Sequence, residues 1–91
     1  FHVIAVDLLG FGFSGKPKWF DYTITSQARM IARFLNRLGI GKATLVGCSY
    51  GGAVAATVAL DYPEFVEKLI LVDAVSNNEV KKRAIFRLAG L

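Results

Sequence analysis

Three short apolar runs, near residues 2–7, 43–48 and 68–73, predict β-strands. In each run apolar residues follow one another almost without interruption, and many of them are β-branched. Such runs are typical of parallel strands buried on both faces, whereas a strand with one solvated face alternates apolar with polar residues. We therefore expect these three runs to lie within one parallel sheet.

Apolar positions three and four residues apart predict helices over residues 23–38 and 79–88, and a run of small and β-branched residues predicts another over 51–60. Thr23 or Thr25 is placed to cap the first helix, and Gly39 is placed to end it in the left-handed conformation. Strands and helices thus alternate, which indicates right-handed crossovers between parallel strands. We predict an α/β fold of three layers, with helices on the faces of a parallel sheet.

The composition indicates that these elements belong to something larger. The 91 residues are 54% hydrophobic and have a mean hydropathy of +0.45. Both values are high for a free-standing domain of this size, because a small domain exposes a large share of its surface. We therefore expect the chain to be a piece of a larger protein.

Charge and cysteine content exclude several classes of protein. The net charge is +4, but the 11 Lys and Arg residues are scattered, so we expect no nucleic-acid partner. Cys48 is the only cysteine, which excludes an intrachain disulfide and a multi-cysteine metal site and is compatible with a reducing compartment such as the cytoplasm. We expect Cys48 to be a small buried residue. The apolar runs are too short to span a bilayer, and we expect the basic amphipathic helix over 79–88 to pack against protein.

Residues 44–53 carry the candidate chemistry. Gly47, Ser49 and Gly51 form the spacing G-x-S-x-G between an apolar strand and a small-residue helix, which is the nucleophile-elbow pattern of serine hydrolases. A turn of this kind strains its apical residue by ~1–3 kcal/mol, and we expect both glycines to let strand and helix approach closely. We predict Ser49 as the nucleophile and the Tyr50 backbone N–H as an oxyanion donor at the positive end of the helix. A glycine-serine turn without chemistry is the alternative, and the strand-to-helix context favours the elbow.

The glycines after the first strand match two phosphate-binding patterns, and we interpret both matches as turns. Gly10, Gly12 and Gly15 satisfy G-x-G-x-x-G, and Lys16 extends a partial match to G-x-x-x-x-G-K-[ST]. Pro17 stands where the second pattern needs a hydroxyl, and an aromatic loop follows where a phosphate-binding helix should begin. We therefore expect no nucleotide cofactor.

Two motifs together resemble the α/β-hydrolase family, specifically its members with a helical cap. Residues 7–14, Asp-Leu-Leu-Gly-Phe-Gly-Phe-Ser, are similar to the family's Asp-x-x-Gly-x-Gly-x-Ser loop after the fourth strand, and residues 45–55 resemble its elbow after the fifth. Residues 71–74 look like the end of the sixth strand. The resemblance covers essentially the whole chain and implies part of the hydrolase core over residues 1–75 and the start of the cap over 76–91.

The resemblance also implies a serine nucleophile, a histidine base, an acid and two backbone donors to the oxyanion. Ser49 and the Tyr50 N–H match two of these positions, and the family's histidine and second donor have no counterpart here. His2 begins its strand, so at ~3.3 Å per residue it lies ~16 Å from the edge where Ser49 stands, although a general base must come within ~3 Å. Some members take the acid from the end of the sixth strand, which makes Asp73 a candidate acid or a structural turn residue. We expect Asp7 to be structural.

Serine at the elbow narrows the chemistry, because epoxide hydrolases and haloalkane dehalogenases of this family carry aspartate there. The resemblance implies acyl transfer to water by Ser49 on a small apolar substrate with an ester, thioester, lactone or carbon–carbon bond, without metal or cofactor. An α/β-hydrolase-like protein that binds a ligand or partner without turnover is the alternative. The family's third strand, which lies between the strands near Ile4 and Val46, is not in this sequence, so unpaired backbone groups would line a gap in the sheet. We expect the 91 residues alone neither to fold stably nor to catalyse.

Overall fold

The computed structural model describes residues 3–8, 10–12 and 14–72, which form two helices, one turn of 3₁₀ helix and two strands. The elements follow in the order α1 (Ile24–Leu38), β1 (Ala43–Cys48), α2 (Tyr50–Asp61), the 3₁₀ turn (Pro63–Phe65) and β2 (Val66–Val72). The predicted α/β class with a parallel sheet is confirmed.

Helix α1 begins and ends where its capping residues predict. Thr23 has extended backbone angles, and its hydroxyl accepts a hydrogen bond from the Ser26 N–H at 3.1 Å. Gly39 has a φ of 65°, and its N–H donates to the Asn36 carbonyl at 3.2 Å. The Thr23 N–H also donates to Asp21 Oδ1 at 3.0 Å, and this bond lowers the pKa of the Asp21 carboxyl. The local sequence therefore fixes both ends of α1.

The two strands are parallel and are joined by the crossover through α2. Val46 is opposite Ile70 and Cys48 is opposite Val72, and one irregularity in the register falls between Ala43 and Thr44. The carboxyl ends of both strands therefore meet at the same edge of the sheet, which is the edge where open α/β sheets bind ligands.

Helix α2 lies against one face of the sheet, and α1 packs on α2. All residues of α2 from Gly52 to Val58 are buried, as expected for a helix that is apolar on every side. The hydroxyl of the buried Thr57 donates to the Ala53 carbonyl at 2.9 Å, so this polar group has a partner. The two helices meet in a cluster of buried side chains, formed by Ala28, Leu35, Val54 and Val58. Among the described residues, no helix is long and apolar enough to cross a membrane.

The opposite face of the sheet is uncovered within the described residues. Val46 is 67% exposed and Ile70, its partner across the strands, is 49% exposed. Successive side chains of a strand point to opposite faces, so Cys48 shares the face of Val46. The expectation of a buried Cys48 is wrong, because its side chain is exposed on this face. Both described helices lie on the other side of the sheet, and the third predicted helix, over 79–88, lies outside the described residues.

The strand predicted near residues 2–7 also needs correction, because none of residues 3–7 belongs to a strand. A strand requires a neighbour for its backbone N–H and C=O groups, and within the described sheet β1 and β2 pair only with each other. The segment is therefore exposed, with Val3 84% accessible. His2, the helix predicted over 79–88 and the cap predicted over 76–91 lie outside the described residues.

Candidate active site

Ser49 occupies the sharp corner between β1 and α2. Its backbone angles are φ 54° and ψ −124°. Residues other than glycine rarely adopt this conformation, which costs ~1–3 kcal/mol. The predicted strain at the apex of the turn is therefore present.

Hydrogen bonds on both sides hold this corner in place. The Ser49 N–H donates to the Val72 carbonyl at 3.1 Å, which ties the corner to the end of β2. The Ser49 carbonyl accepts from the Gly52 N–H at 2.9 Å, which ties it to the first turn of α2. Strain of this size persists only where surrounding structure enforces it, and these two bonds supply that enforcement.

The Ser49 hydroxyl is not used to cap the helix. A serine at the N-cap position ordinarily accepts a hydrogen bond from an N–H of the first turn. At Ser49 the side chain makes no such capping bond, and the residue is exposed. The unusual backbone angles thus present the hydroxyl at the edge of the sheet instead of folding it onto α2.

Of the two elbow glycines, only Gly47 lies where β1 and α2 approach each other closely. A Cβ at Gly47 would lie 2.6 Å from the Gly51 carbonyl oxygen, 2.7 Å from the Gly52 Cα and 2.9 Å from the Ala55 Cβ. Among the described residues, a Cβ at Gly51 would meet nothing within 4 Å. The expectation that both glycines allow the close approach is therefore wrong for Gly51, because the position of its Cβ would be free of strand atoms.

Tyr50 is the first residue of α2, so its N–H belongs to the helix turn that has no intrahelical acceptors. It follows Ser49 directly, at the positive end of the helix dipole. The role of the Tyr50 N–H as an oxyanion donor, which requires this placement, stays a prediction.

The glycine loop, defined as residues 7–17, is held by hydrogen bonds among its own described residues. The Gly10 N–H donates to the Gly15 carbonyl at 2.9 Å, and the Lys16 ammonium donates to the Gly12 carbonyl at 2.9 Å. The next helix begins only at Ile24, so the loop lacks the helix N-terminus that holds phosphate in both motifs. Its glycines form turns, as predicted.

Asp7 supports the same loop. Its backbone carbonyl accepts a hydrogen bond from the Ser14 hydroxyl. Its carboxylate lies so close to Gly12 that a Cβ there would collide with it. These contacts agree with the structural role expected for Asp7.

The segment before α1 contacts the elbow at Tyr50. This contact was not predicted from the sequence. The rings of Phe11 and Tyr50 are stacked, with centroids 5.6 Å apart and planes inclined by 28°. The Tyr50 hydroxyl donates to the Tyr22 carbonyl at 3.3 Å. The available signal was that both segments follow apolar runs and would end at one sheet edge, although this does not specify a ring pair.

Asp73, the candidate acid, lies outside the described residues, so its role stays a prediction. His2, which we expect to take no part in catalysis, also lies outside them. Within residues 3–72, apart from positions 9 and 13, no group of three His, Cys, Asp or Glu side chains could hold a metal ion. The described site is thus a serine, a helix N-terminus and an aromatic loop.

The family model for the alpha/beta hydrolase fold matches residues 1–90. The chain belongs to the α/β-hydrolase fold family. An uncharacterized protein of Mycobacterium tuberculosis is 43% identical over the whole chain, which spans 26% of that relative. A 2-hydroxymuconate semialdehyde hydrolase of Pseudomonas putida is 42% identical over 80% of this chain and 26% of its own length.

Solved structures of this family have the same fold over the described elements. A probable hydrolytic enzyme from Pseudomonas aeruginosa is 39% identical, with a TM-score of 0.70 over 76% of this chain and 22% of its own. The α/β-hydrolase chain described here therefore spans about a quarter of the length of the relatives it matches. The resemblance seen in its two motifs is confirmed at the level of the family.

Proposed function

We propose that this α/β-hydrolase chain supplies the nucleophile of a serine hydrolase. The observation that carries the proposal is the Ser49 hydroxyl, which is exposed at a strained corner and makes no helix-capping bond. A protein does not retain ~1–3 kcal/mol of backbone strain without compensation, and such residues cluster at active sites. Hydrolases among the relatives support the reaction class.

In the proposed reaction Ser49 Oγ attacks the carbonyl carbon of the substrate while a general base takes its proton. The carbonyl oxygen becomes an oxyanion that accepts a hydrogen bond from the Tyr50 N–H. When this intermediate collapses, the base passes the proton to the leaving group as its bond to the carbonyl carbon breaks, which leaves an acyl group on Ser49. Water then attacks the acyl group, and the acid leaves as Ser49 regains its proton. The described residues include no histidine, so the base comes from elsewhere in the protein.

The proposed substrates are small apolar molecules with an ester, thioester, lactone or carbon–carbon bond next to a carbonyl. Serine at the corner supports acyl chemistry, because the attacking atom is a hydroxyl oxygen and not a carboxylate. Asp73 remains a proposed acid, since in the sequence it directly follows Val72, the last residue of β2.

A labelled fluorophosphonate tests the proposal in the full-length protein. We expect covalent labelling that disappears in Ser49→Ala and persists in Ser26→Ala, a matched variant whose serine is buried at the start of α1. No labelling of a correctly folded protein would overturn the proposal. That outcome would support the alternative, a protein of this fold that binds a ligand or partner without turnover.

A further inference from the structure

We propose that Phe11 and Tyr22 are positioning residues for the oxyanion donor, because together they hold the side chain of Tyr50 against the glycine loop. We call Phe11, Tyr22 and Tyr50 the aromatic clamp. The inference rests on the proposed function, since it concerns the N–H that would receive the oxyanion at Ser49.

Within the aromatic clamp, Phe11 and Tyr22 hold the Tyr50 side chain at two points. Phe11 stacks on its ring at a centroid distance of 5.6 Å, which is within the range favoured by offset aromatic pairs. The Tyr22 carbonyl accepts from its hydroxyl at 3.3 Å. A side chain fixed at both ring and hydroxyl restricts the backbone from which it projects, and the N–H of Tyr50 is part of that backbone.

The segment before α1, which carries Phe11 and Tyr22, is itself held in place. Tyr22 has a φ of 57°, and its hydroxyl donates to the Pro17 carbonyl at 2.6 Å. Its ring lies so close to Gly10 that a Cβ there would come within 2.7 Å. Phe20, which is buried, packs edge-on against Tyr22 at 4.9 Å. Contacts on several sides thus hold Tyr22 in its left-handed backbone conformation, which is strained for a tyrosine and needs such support.

The consequence concerns the transition state more than substrate binding. Removal of one oxyanion donor lowers kcat by about 10²–10³-fold, and loss of its support should produce part of that effect. Since the oxyanion forms only during the reaction, we expect kcat to fall and KM to stay nearly constant. A residue that merely stabilised the fold would lower the amount of active protein and leave kcat per active site unchanged.

The test uses Phe11→Leu and Tyr50→Phe in the full-length protein with an aryl ester as substrate. Active sites are counted by fluorophosphonate titration, so that misfolded protein does not enter kcat. We expect Phe11→Leu to lower kcat about tenfold, within the range set by partial loss of one donor, and Tyr50→Phe to lower it less. The matched controls are Trp19→Leu, an aromatic of the same segment that is 80% exposed, and Tyr62→Phe at the far end of α2. Neither should change kcat.

A double-mutant cycle shows whether Phe11 acts through Tyr50. In a Tyr50→Leu background the ring partner is absent, so adding Phe11→Leu should cause no further loss of kcat. Equal loss in both backgrounds would overturn the inference.

Two other results would also overturn it. One is a Phe11→Leu variant whose kcat per titrated site stays within about twofold of wild type while Ser49 is still labelled. This result would leave the proposed function unaffected. The other is a raised KM with unchanged kcat, which would assign Phe11 to substrate binding. Absence of any labelling in the wild-type protein would instead overturn the proposed function, and the positioning role with it.

Discussion

Gly47→Ala tests the contact that brings β1 and α2 together below the nucleophile. The new Cβ would lie 2.7 Å from the Gly52 Cα and 2.6 Å from the Gly51 carbonyl oxygen. Both are backbone atoms of the first turn of α2, so no side-chain rotation can relieve the collision. The helix must move away from the strand, and Ser49 lies at the junction of the two.

The size of the effect follows from these distances. Favourable carbon–carbon contact begins at about 3.5 Å, so the Cβ is ~0.8 Å too close to the Gly52 Cα. Overpacking that forces a backbone shift of this kind costs ~1–3 kcal/mol. We expect the free energy of unfolding of the full-length protein to fall by that amount and the rate of fluorophosphonate labelling at Ser49 to fall with it.

Gly51→Ala is the matched control, because its Cβ would meet nothing within 4 Å. Alanine in a helix is more favourable than glycine by up to ~1 kcal/mol, so this variant should be as stable as wild type or slightly more so. Denaturant unfolding of both variants, with equal m-values, measures the difference. A Gly47→Ala variant as stable as wild type would contradict this prediction. So would a Gly51→Ala variant that loses as much stability as Gly47→Ala.

Three further predictions concern stability. Ser49→Gly should raise the free energy of unfolding by up to ~1–3 kcal/mol while abolishing labelling, because glycine adopts φ 54° without strain; a destabilised variant in denaturant unfolding would contradict this. Thr23→Ala should cost ~1 kcal/mol through loss of the bond to the Ser26 N–H, whereas Thr25→Ala, its exposed neighbour, should cost less in the same unfolding measurement. The isolated 91-residue chain should show no cooperative thermal transition, since Val46 and Ile70 leave an apolar sheet face exposed; a cooperative calorimetric peak would contradict this.

The elements of the fold that depend on local sequence were predictable. Thr23 and Gly39 mark the ends of α1 because capping geometry depends on a few neighbouring residues. The bounds of β1 match the prediction, and α2 and β2 differ from theirs by one or two residues. The sharp corner at Ser49 and the start of α2 at Tyr50 were likewise predictable, because G-x-S-x-G between a strand and a helix indicates one kind of turn. The roles of Ser49 and the Tyr50 N–H in catalysis stay predictions.

Features that depend on contacts between distant segments were not predictable. Residues 3–7 have a strand-like composition, but a strand also needs a neighbour, which the pattern of one segment does not contain. Cys48 was expected to be buried because the second position of the G-x-S-x-G motif points into the protein, although burial depends on whether a layer covers that face of the sheet. The stacking of Phe11 on Tyr50 joins residues far apart in sequence and follows only from the folded loop.

The central claim is that the Ser49 hydroxyl performs the nucleophilic attack. Brief mixing of the full-length protein with an aryl ester at low pH, followed by quenching and tandem mass spectrometry, locates the acyl group on a single residue. We expect the acyl group on Ser49. An acyl group on the exposed neighbour Cys48, or hydrolysis that continues unchanged in Ser49→Ala, would contradict the claim.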